Sequence, residues 1–341
     1  MQRNSPTVAL TTIKAHLTAL KAFLSASERL AELTSIERLI EQQIQARPAM
    51  TRVPVSDVAR NLDLVAQWLN EPFLGLRLAP YSSRHHPHLS FFFHTSGFPL
   101  PDYLLILERY IRICTQVMTL SLDETPDHLI LTFTPDDDIP ISVHQHEGFA
   151  ASVADAVYRC FSLRPDKVSF RHQRALQCDE EYEHYRAVFG CEPFFRQSDT
   201  QLIFSRPRSF RRAFSDPDSH IRSLQQFEAL NHKAFPDESW SGRCRFLLRL
   251  LMYCGEPQKQ TLADILTVTP RTLQRRLSDE GTTFRALLNQ LRMDMTEQYL
   301  QEGKLSHEEI TFLLGFRDRG VFYRAFRQWF GTSPGEYQQA L

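Results

Sequence analysis

The sequence has no long uncharged apolar run. A membrane-spanning helix needs about 20 predominantly apolar residues, and the most apolar stretch, at 103–118, already carries charged side chains at Glu108, Arg109 and Arg112. Near the amino terminus, Lys14 interrupts the apolar positions that a secretory signal peptide would need. We therefore expect a cytoplasmic protein with no membrane partner.

The sequence also lacks the common cofactor motifs. Its 6 cysteines show no C-x-x-C spacing, which excludes a zinc ribbon and favours reduced thiols. There are only 12 glycines in 341 residues, and none of them forms a Gly-rich phosphate loop or a G-x-S-x-G elbow. The sequence predicts no catalytic residue and no cofactor.

Candidate metal ligands are confined to histidines and one acidic turn. Asp136–Asp138 lacks the spacing of a calcium loop and is interpreted as a solvated turn. The other candidates are histidines. They are interpreted as surface or loop residues, because a metal site needs imidazoles that converge from separate elements. The alternative is a metal-dependent or other enzymatic domain tethered to a DNA-binding tail. The histidines concerned are His85, His86, His88, His94, His144 and His146.

Charge is balanced over the whole chain but not along it. The formal net charge is −1. From Trp240 to the end, 14 Lys and Arg face 11 Asp and Glu, a net of +3, while the preceding residues have 25 against 29, a net of −4. The carboxyl-terminal part therefore has the local basic excess that a nucleic-acid-binding module needs.

A helix-turn-helix pattern runs from Thr261 to Leu277. Thr269 suits an N-cap and Pro270 the first helical position, so the second helix is predicted to begin there. Leu273 and Leu277 are four residues apart and should face inward. The residues predicted to contact DNA are Thr269, Arg271, Thr272, Gln274 and Arg275.

A second pattern of the same kind runs from Ser306 to Phe330. Asp318 can cap its second helix, and the predicted inner face consists of Phe322, Phe326 and Trp329. Ser306 and Glu309 form a capping box at the start of the pattern. The predicted DNA contacts of this second helix are Arg319, Gly320, Tyr323, Arg324 and Arg327.

The two patterns are joined by a predicted helix at 284–300. A helix of about 20 residues is about 30 Å long, close to the roughly 34 Å that separates major grooves on one face of DNA. Arg and Gln side chains pair bidentately with guanine and adenine edges. The spacing therefore predicts that double-stranded DNA is the partner and that both patterns address one side of the duplex.

The first two-thirds of the chain predicts an α+β domain. Helical patterns occur at about 8–24, 27–45, 56–69, 101–118, 147–161 and 179–189. Short apolar runs predict strands at about 89–93, 129–133, 168–170 and 202–204. A connecting helix is predicted at about 221–235.

The carboxyl-terminal residues resemble the DNA-binding domain of AraC/XylS-type transcription regulators. The resemblance rests on Arg271-Thr-Leu-Gln-Arg-Arg-Leu-Ser-Asp-Glu-Gly281, Leu313-Leu-Gly-Phe316, Phe322-Tyr-Arg-Ala-Phe326, Trp329-Phe-Gly331 and Ser333-Pro334. It implies an all-α domain with two helix-turn-helix motifs joined by a long helix, and RNA polymerase as a further partner. Thr267, Thr311 and Gly320 depart from the family pattern. The last two indicate that the second motif contributes less to base readout.

The amino-terminal residues resemble the arabinose-binding-like sensor domain of one branch of that family. This looser resemblance rests on Arg52-Val-Pro54, Gly75-Leu-Arg77, Leu107-Glu-Arg-Tyr110, Val168-Ser-Phe-Arg-His172, Tyr185 with Phe189-Gly190, and Phe195. It implies a domain that binds a small-molecule effector or forms a homodimer. The predicted domains are 1–220, a connecting segment at 221–239, and 240–341, with the two motifs at about 259–280 and 306–330.

The predicted helix at 101–118 is the candidate for a contact between two copies. Its apolar side carries Leu104, Leu107 and Ile111, while Arg109 and Arg112 can face water or a partner. Packing of this helix within its own domain is the alternative.

Overall fold

The computed structural model describes residues 7–29, 52–85, 98–135, 141–206 and 217–340, together with positions 34, 36 and 38. The chain divides into two compact units, Met1–Pro207 and Arg208–Leu341. The first unit contains both helices and strands, and the second consists of helices. An α+β amino-terminal part followed by a helical carboxyl-terminal part is thus confirmed.

The first unit begins with a small two-stranded sheet that is packed on helices. Arg52 links its parts: the guanidinium donates from Nε to Thr7 Oγ1 at 2.6 Å and from Nη1 to the carbonyl of Ile113 at 3.1 Å. The helices share a core that includes Phe23, Leu69 and Leu74. The elements are β1 (Thr7–Ala9), α1 (Leu10–Ala26), β2 (Arg52–Pro54), α2 (Val55–Leu69), α3 (Leu74–His85) and α4 (Leu100–Cys114).

A five-stranded sheet forms the rest of the first unit. The strand order is β3-β4-β7-β5-β6, antiparallel throughout except for the parallel β5–β6 pair. Leu131 lies opposite Leu122 on one side and Leu202 on the other, and helix α5 packs on the sheet with Phe149 edge-on to Phe133 at 5.7 Å. The elements are β3 (Met118–Glu124), β4 (His128–Pro135), α5 (Val143–Phe161), β5 (Lys167–Ser169), α6 (Asp179–Phe189), β6 (Pro193–Phe194) and β7 (Thr200–Ser205).

Helices α3 and α5 touch backbone to backbone through two glycines. A Cβ added to Gly75 would lie 2.2 Å from the carbonyl oxygen of His144, and one added to Gly148 would lie 3.1 Å from the carbonyl oxygen of Gly75. No side chain fits the first position without displacing backbone. The glycine at the start of the Gly75-Leu-Arg77 motif is thereby explained.

Several predicted elements need correction. The predicted helix at 101–118 ends at Cys114, because Met118 already pairs with Pro135 in the sheet. Helix α5 begins four residues earlier than predicted, after a capping box formed by Ser142 and Gln145. In the first unit, helix α3 and strands β1, β2, β3 and β6 were missed, and the helix predicted from residue 8 begins at Leu10 because Thr7–Ala9 pairs with β2. The predicted strand at 89–93 and most of the predicted helix at 27–45 fall outside the described residues.

The candidate homodimer helix packs mainly within its own domain, which is the alternative that the sequence left open. Helix α4 has no exposed residue, and Tyr103, Leu104, Ile106 and Tyr110 are all completely buried within the first unit. The amphipathic pattern of α4 predicts a more exposed charged face than the structure has, because the side chains of Arg109 and Arg112 are half-buried. A contact of its partly exposed face with a second copy stays a prediction.

The second unit consists of eight helices within the described residues from 217 onward. The predicted connecting helix belongs to it. These helices are α7 (Pro217–Ala234), α8 (Trp240–Met252), α9 (Lys259–Ile265), α10 (Pro270–Asp279), α11 (Phe284–Glu302), α12 (His307–Leu313), α13 (Arg319–Phe330) and α14 (Pro334–Ala340).

Candidate nucleic-acid interface

Helix α10 combines a fixed inner face with an exposed basic face. The Thr269 hydroxyl accepts the backbone N–H of Thr272 at 3.1 Å, so the helix begins where the cap and Pro270 predict. Leu273 and Leu277 are completely buried. Arg271 and Arg275 are exposed and Gln274 is half-buried. The predicted side chains thus project from a helix whose position is set by its core contacts.

The turn before α10 holds a threonine in an unusual backbone conformation. Thr267 has φ of 55°, in the left-handed region that favours glycine. The backbone N–H of Thr267 donates to the carbonyl of Asp264, and that of Val268 donates to Ala263, so the turn closes α9. The departure from the family pattern at this position therefore keeps the geometry of the glycine that usually stands there.

Two residues at the end of α10 attach it to helix α8. The Glu280 carboxylate accepts the backbone N–H groups of Trp240 and Ser241, each at 2.7 Å, and so caps α8. Desolvation raises the pKa of Glu280, but these hydrogen bonds outweigh it and the net pKa is lowered. Arg276 lies 5.6 Å from the ring centre of Trp240. This contact supports a role for Arg276 in bracing α10 against α8.

Helix α13 repeats the arrangement with an aromatic inner face. Asp318 accepts the backbone N–H of Val321 at 2.8 Å, and Phe322 and Phe326 are completely buried. Trp329, also predicted on this face, is half-buried, with its ring centre 6.1 Å from that of Phe316. The predicted outward residues divide as follows: Tyr323 is half-buried, and the exposed ones are Arg319, Gly320, Arg324 and Arg327.

Tyr323 is held by hydrogen bonds within the protein. Its hydroxyl lies 3.0 Å from Nδ1 of His307 and accepts from Arg319 Nη2 at 3.1 Å. Gly320, one turn before the exposed Arg324, has no side chain to offer a base. At these two positions α13 therefore has no free side-chain group to offer a base.

Arg292 is a structural residue that the sequence patterns did not single out. It lies on α11 and is 6% exposed. Its guanidinium donates to the carbonyls of Leu314 at 2.9 Å and Gly315 at 3.0 Å and lies 3.9 Å from the ring centre of Phe316. Burial lowers its pKa to about 10. Arg292 thus satisfies the carbonyls that end α12 and fixes the turn that leads to α13.

Helix α11 connects the two helix pairs without interruption. Thr283 caps it by accepting the backbone N–H of Ala286 at 3.1 Å, and Gly303, with φ of 62°, ends it. It contains 19 residues, which corresponds to about 28 Å at 1.5 Å per residue. Leu288, Leu291 and Met295 are buried along one side.

The histidines do not form a metal site in the described part of the chain. No group of three or more His, Cys, Asp or Glu residues there could hold a metal ion. His146 is buried, and its pKa is lowered to about 4 by desolvation, with a further contribution from His172. Burial likewise lowers the pKa of His144. His86, His88, His94 and Asp136–Asp138 lie outside the described residues, as does the side chain of His85.

Two of the residues that carry the amino-terminal resemblance, His172 and Tyr185, contact a buried carboxylate. Glu147 is completely buried; it accepts from Arg174 Nη1 at 2.8 Å and from the Tyr185 hydroxyl at 2.5 Å, and lies 3.1 Å from His172 Nε2. The ring of Phe195 stacks on Phe170 at 5.7 Å. This cluster ties α5 and α6 to the segment after β5, so its motif residues are explained by packing and charge pairing.

Comparison with known proteins identifies the family. Residues 38–208 match the arabinose-binding domain of AraC transcription regulators, and residues 262–340 match a helix-turn-helix domain. The HTH-type transcriptional regulator VirS of Mycobacterium tuberculosis is 27% identical over 290 residues, 82% of each chain. Another HTH-type transcriptional regulator of that organism is 37% identical over 288 residues, 81% of each chain.

Among solved structures, that of the transcriptional regulator CdpR from Pseudomonas aeruginosa covers 89% of this chain and 98% of its own, with 20% identity and a TM-score of 0.47. No helix in the ranges that the structure describes is long and apolar enough to cross a membrane. The chain belongs to the AraC family of transcription regulators, with an amino-terminal ligand-binding domain and a carboxyl-terminal helix-turn-helix DNA-binding domain.

Proposed function

We propose that the protein reads DNA through both helix pairs, with α11 as the spacer and α10 as the main source of sequence specificity. The carrying observation is the geometry of α10. Its cap and its buried leucines fix the helix, while Arg271 and Arg275 stand exposed on its surface. A side chain contributes to specificity when a rigid element presents it to a base edge in the major groove.

Helix α13 plays the lesser part in this proposal. Its exposed Arg319, Arg324 and Arg327 suit contacts to phosphates, which position a protein without reading sequence. Tyr323 is engaged with His307, and Gly320 has no side chain. On α10, Thr269 and Thr272 lie at the amino-terminal end, where hydroxyls and backbone N–H groups favour a phosphate.

Base readout by α10 is tested by Arg271→Ala and Gln274→Ala. A bidentate contact to a base contributes about 1–3 kcal/mol of discrimination. Each variant should lose that much affinity for the specific site and lose preference at one base position. Fluorescence anisotropy against the specific site, its single-base variants and random DNA measures both effects.

Gln301→Ala, at an exposed position on α11, is the matched control and should bind like the unaltered protein. An equal loss on specific and random DNA would mean that the side chains of α10 contact phosphates instead. The specific site itself is obtained by selection from random-sequence duplexes.

The amino-terminal domain supplies regulation in this proposal. A small molecule bound there switches the regulator, and a second copy and RNA polymerase are its protein partners at the promoter. We also propose that the protein is located in the cytoplasm. Sedimentation of the intact protein with and without its DNA site measures self-association. The comparisons give no support to the alternative of an enzymatic domain.

A further inference from the structure

A cavity lies inside the first unit among helices α1 to α5. Its volume is about 110 Å³. All five helices contribute to its wall, and Gly75 and Gly148 lie where α3 and α5 meet. Most of the lining surface is apolar, with contributions from Val58, Leu62, Leu78, Leu107, Ile111 and Val153.

Polar residues form the smaller part of the lining: Thr12, His16, Ser82, Thr115, His144, Gln145 and Ser152. Among the described residues, no Asp, Glu, Lys or Arg lines the cavity. The Thr12 hydroxyl already donates to the carbonyl of Cys114 at 3.0 Å, and the Ser152 hydroxyl donates to that of Gly148 at 2.7 Å. An ionised ligand would therefore lose its hydration without gaining a counter-charge.

Two imidazoles in the wall have unused hydrogen-bonding capacity. The side chain of His16, on α1, makes no hydrogen bond or ion pair with any described residue. The enclosed Nδ1 of His144, on α5, also has no partner among the described residues, and His144 lines the cavity. Desolvation lowers the pKa of both rings, that of His16 to about 4, so both are neutral at pH 7. A neutral imidazole offers one donor and one acceptor.

We propose that this cavity binds one small, uncharged, mainly apolar molecule that carries a single hydroxyl or carbonyl group, and that the polar group meets the imidazoles of His16 and His144. This inference rests on the proposed regulation by a small molecule and specifies its chemistry. An engineered apolar cavity of roughly 150 Å³ accommodates benzene, so the present volume suits a ligand of about that size. A pentose, with a hydroxyl on nearly every carbon, would leave most of its hydroxyls unpaired against this wall.

The test uses the full chain and four probes: phenol, toluene, benzoate and L-arabinose. Isothermal titration and thermal unfolding are measured for each. Phenol should bind and raise the unfolding temperature. Toluene, which lacks the hydroxyl, should bind about three- to tenfold more weakly, the value of one neutral hydrogen bond. Benzoate and L-arabinose should give neither heat nor a shift.

Two variants locate the binding. His16→Leu should reduce phenol affinity to that of toluene, while His128→Leu, at an exposed position, should leave it unchanged. Ala156→Leu fills the cavity and should abolish binding of both aromatics, whereas Ala286→Leu, exposed on α11, should not. In the unaltered protein, phenol should also shift the imidazole resonance of His16, a readout that requires no altered protein to fold.

The inference is overturned if phenol gives no heat and no resonance shift, if its binding survives Ala156→Leu in a folded protein, or if benzoate or L-arabinose binds in the cavity. Specific DNA binding is measured separately, without any probe. Intact DNA binding with no probe bound would remove the cavity inference alone. Absent DNA binding with phenol bound would remove the proposed function and leave the cavity assigned.

Discussion

At the scale of single residues, three buried charged side chains each stabilise the interior of the unit to which they belong. Glu147 is 0% exposed, Arg243 is 1% and Arg292 is 6%. Each is compensated: Glu147 by Arg174, Arg243 by Glu228 at 2.6 Å, and Arg292 by two carbonyls. Leaving such a group without its partner costs more than the pair itself contributes. These residues therefore specify which elements pack together.

Thr267 adopts a backbone conformation that is unfavourable for threonine, with φ of 55°. A non-glycine residue in the left-handed region costs roughly 1–2 kcal/mol. Thr267→Gly should therefore raise the free energy of unfolding of the second unit by about 1 kcal/mol. Urea denaturation of residues 217–341, followed by tryptophan fluorescence, measures the change.

The reverse substitution is the control for Thr267. Gly303→Thr, at the end of α11 with φ of 62° and no neighbour to clash with, should lower stability by a similar amount. Destabilisation by Thr267→Gly would show that the hydrogen bond from the Thr267 hydroxyl to the Leu266 carbonyl, at 2.8 Å, outweighs the backbone strain.

The half-buried His16 and the buried His146 make the first unit sensitive to acid. Burial lowers the pKa values of His16 and His146 to about 4, below the ordinary value of about 6.5. Between pH 6.5 and 4 the unfolded chain binds protons that the folded chain does not, so stability should fall as the pH falls through that window. The loss amounts to at most about 3 kcal/mol for each histidine at the lower end.

Comparing His16→Leu with the unaltered chain measures this pH dependence. The free energy of unfolding of the variant should vary less between pH 6.5 and 4. His128→Leu, at an exposed position, should preserve the original slope. For His146 the neighbouring charges of Glu147, His172 and Arg171 act together with burial, so His16 gives the cleaner test. Identical slopes in all three proteins would contradict a neutral His16.

At the scale of elements, α11 determines which DNA spacing the protein accepts. It is an unbroken helix of 19 residues, packed through Leu288, Leu291 and Met295 and tied to the turn before α13 by Arg292. Such a helix cannot change its length, so α10 and α13 are expected at one fixed separation. The required spacing is therefore better tested by changing the DNA between the two sub-sites than by changing the length of α11.

Altering the DNA between the two sub-sites tests this spacing. Five extra base pairs rotate the second major groove by about half a turn, since a turn of DNA contains about 10 base pairs. Affinity should fall to that of DNA carrying only the sub-site of α10. A single-base change at the same position, without insertion, is the control. Full affinity after insertion would show that only α10 reads DNA.

At the scale of the whole molecule, helix α7 belongs structurally to the second unit. Leu224 and Phe227 are 1% and 4% exposed, and Gln225 donates to the carbonyl of Asp264 at 3.1 Å. The Arg243–Glu228 pair is enclosed between α7 and α8. Asn231 donates to Glu238 at 2.9 Å and fixes the connection between the same two helices.

A fragment that includes α7 should therefore be more stable than one that begins after it. Residues 217–341 should unfold at a higher temperature than residues 240–341, since the shorter piece exposes the apolar surface that α7 covers. Within the longer fragment, Glu228→Gln should cost about 3–5 kcal/mol because Arg243 stays buried without its partner charge. Glu308→Gln, at an exposed position, is the control. Equal melting temperatures of the two fragments would contradict the assignment of α7.

The sequence by itself determined the features that depend on neighbouring residues. The start of α10 at Thr269-Pro270, the span of α6 and the inner positions Leu273 and Phe322 follow from local capping and periodicity. The same is true of the basic excess after Trp240. The family also follows from the sequence, because its motif residues are the caps, turns and core positions of two short helix pairs.

Only the tertiary structure decided the features that depend on distant residues. Arg292 lies 22 residues before the carbonyl of Leu314 that it satisfies, and Glu147 lies 38 residues before Tyr185; neither pairing has a local signal. The close contact at Gly75, the burial of most of α4 and the cavity beside His16 arise where several elements meet. Periodicity shows which face of a helix is apolar, but only packing determines how much of that helix is covered and what space is left between its neighbours.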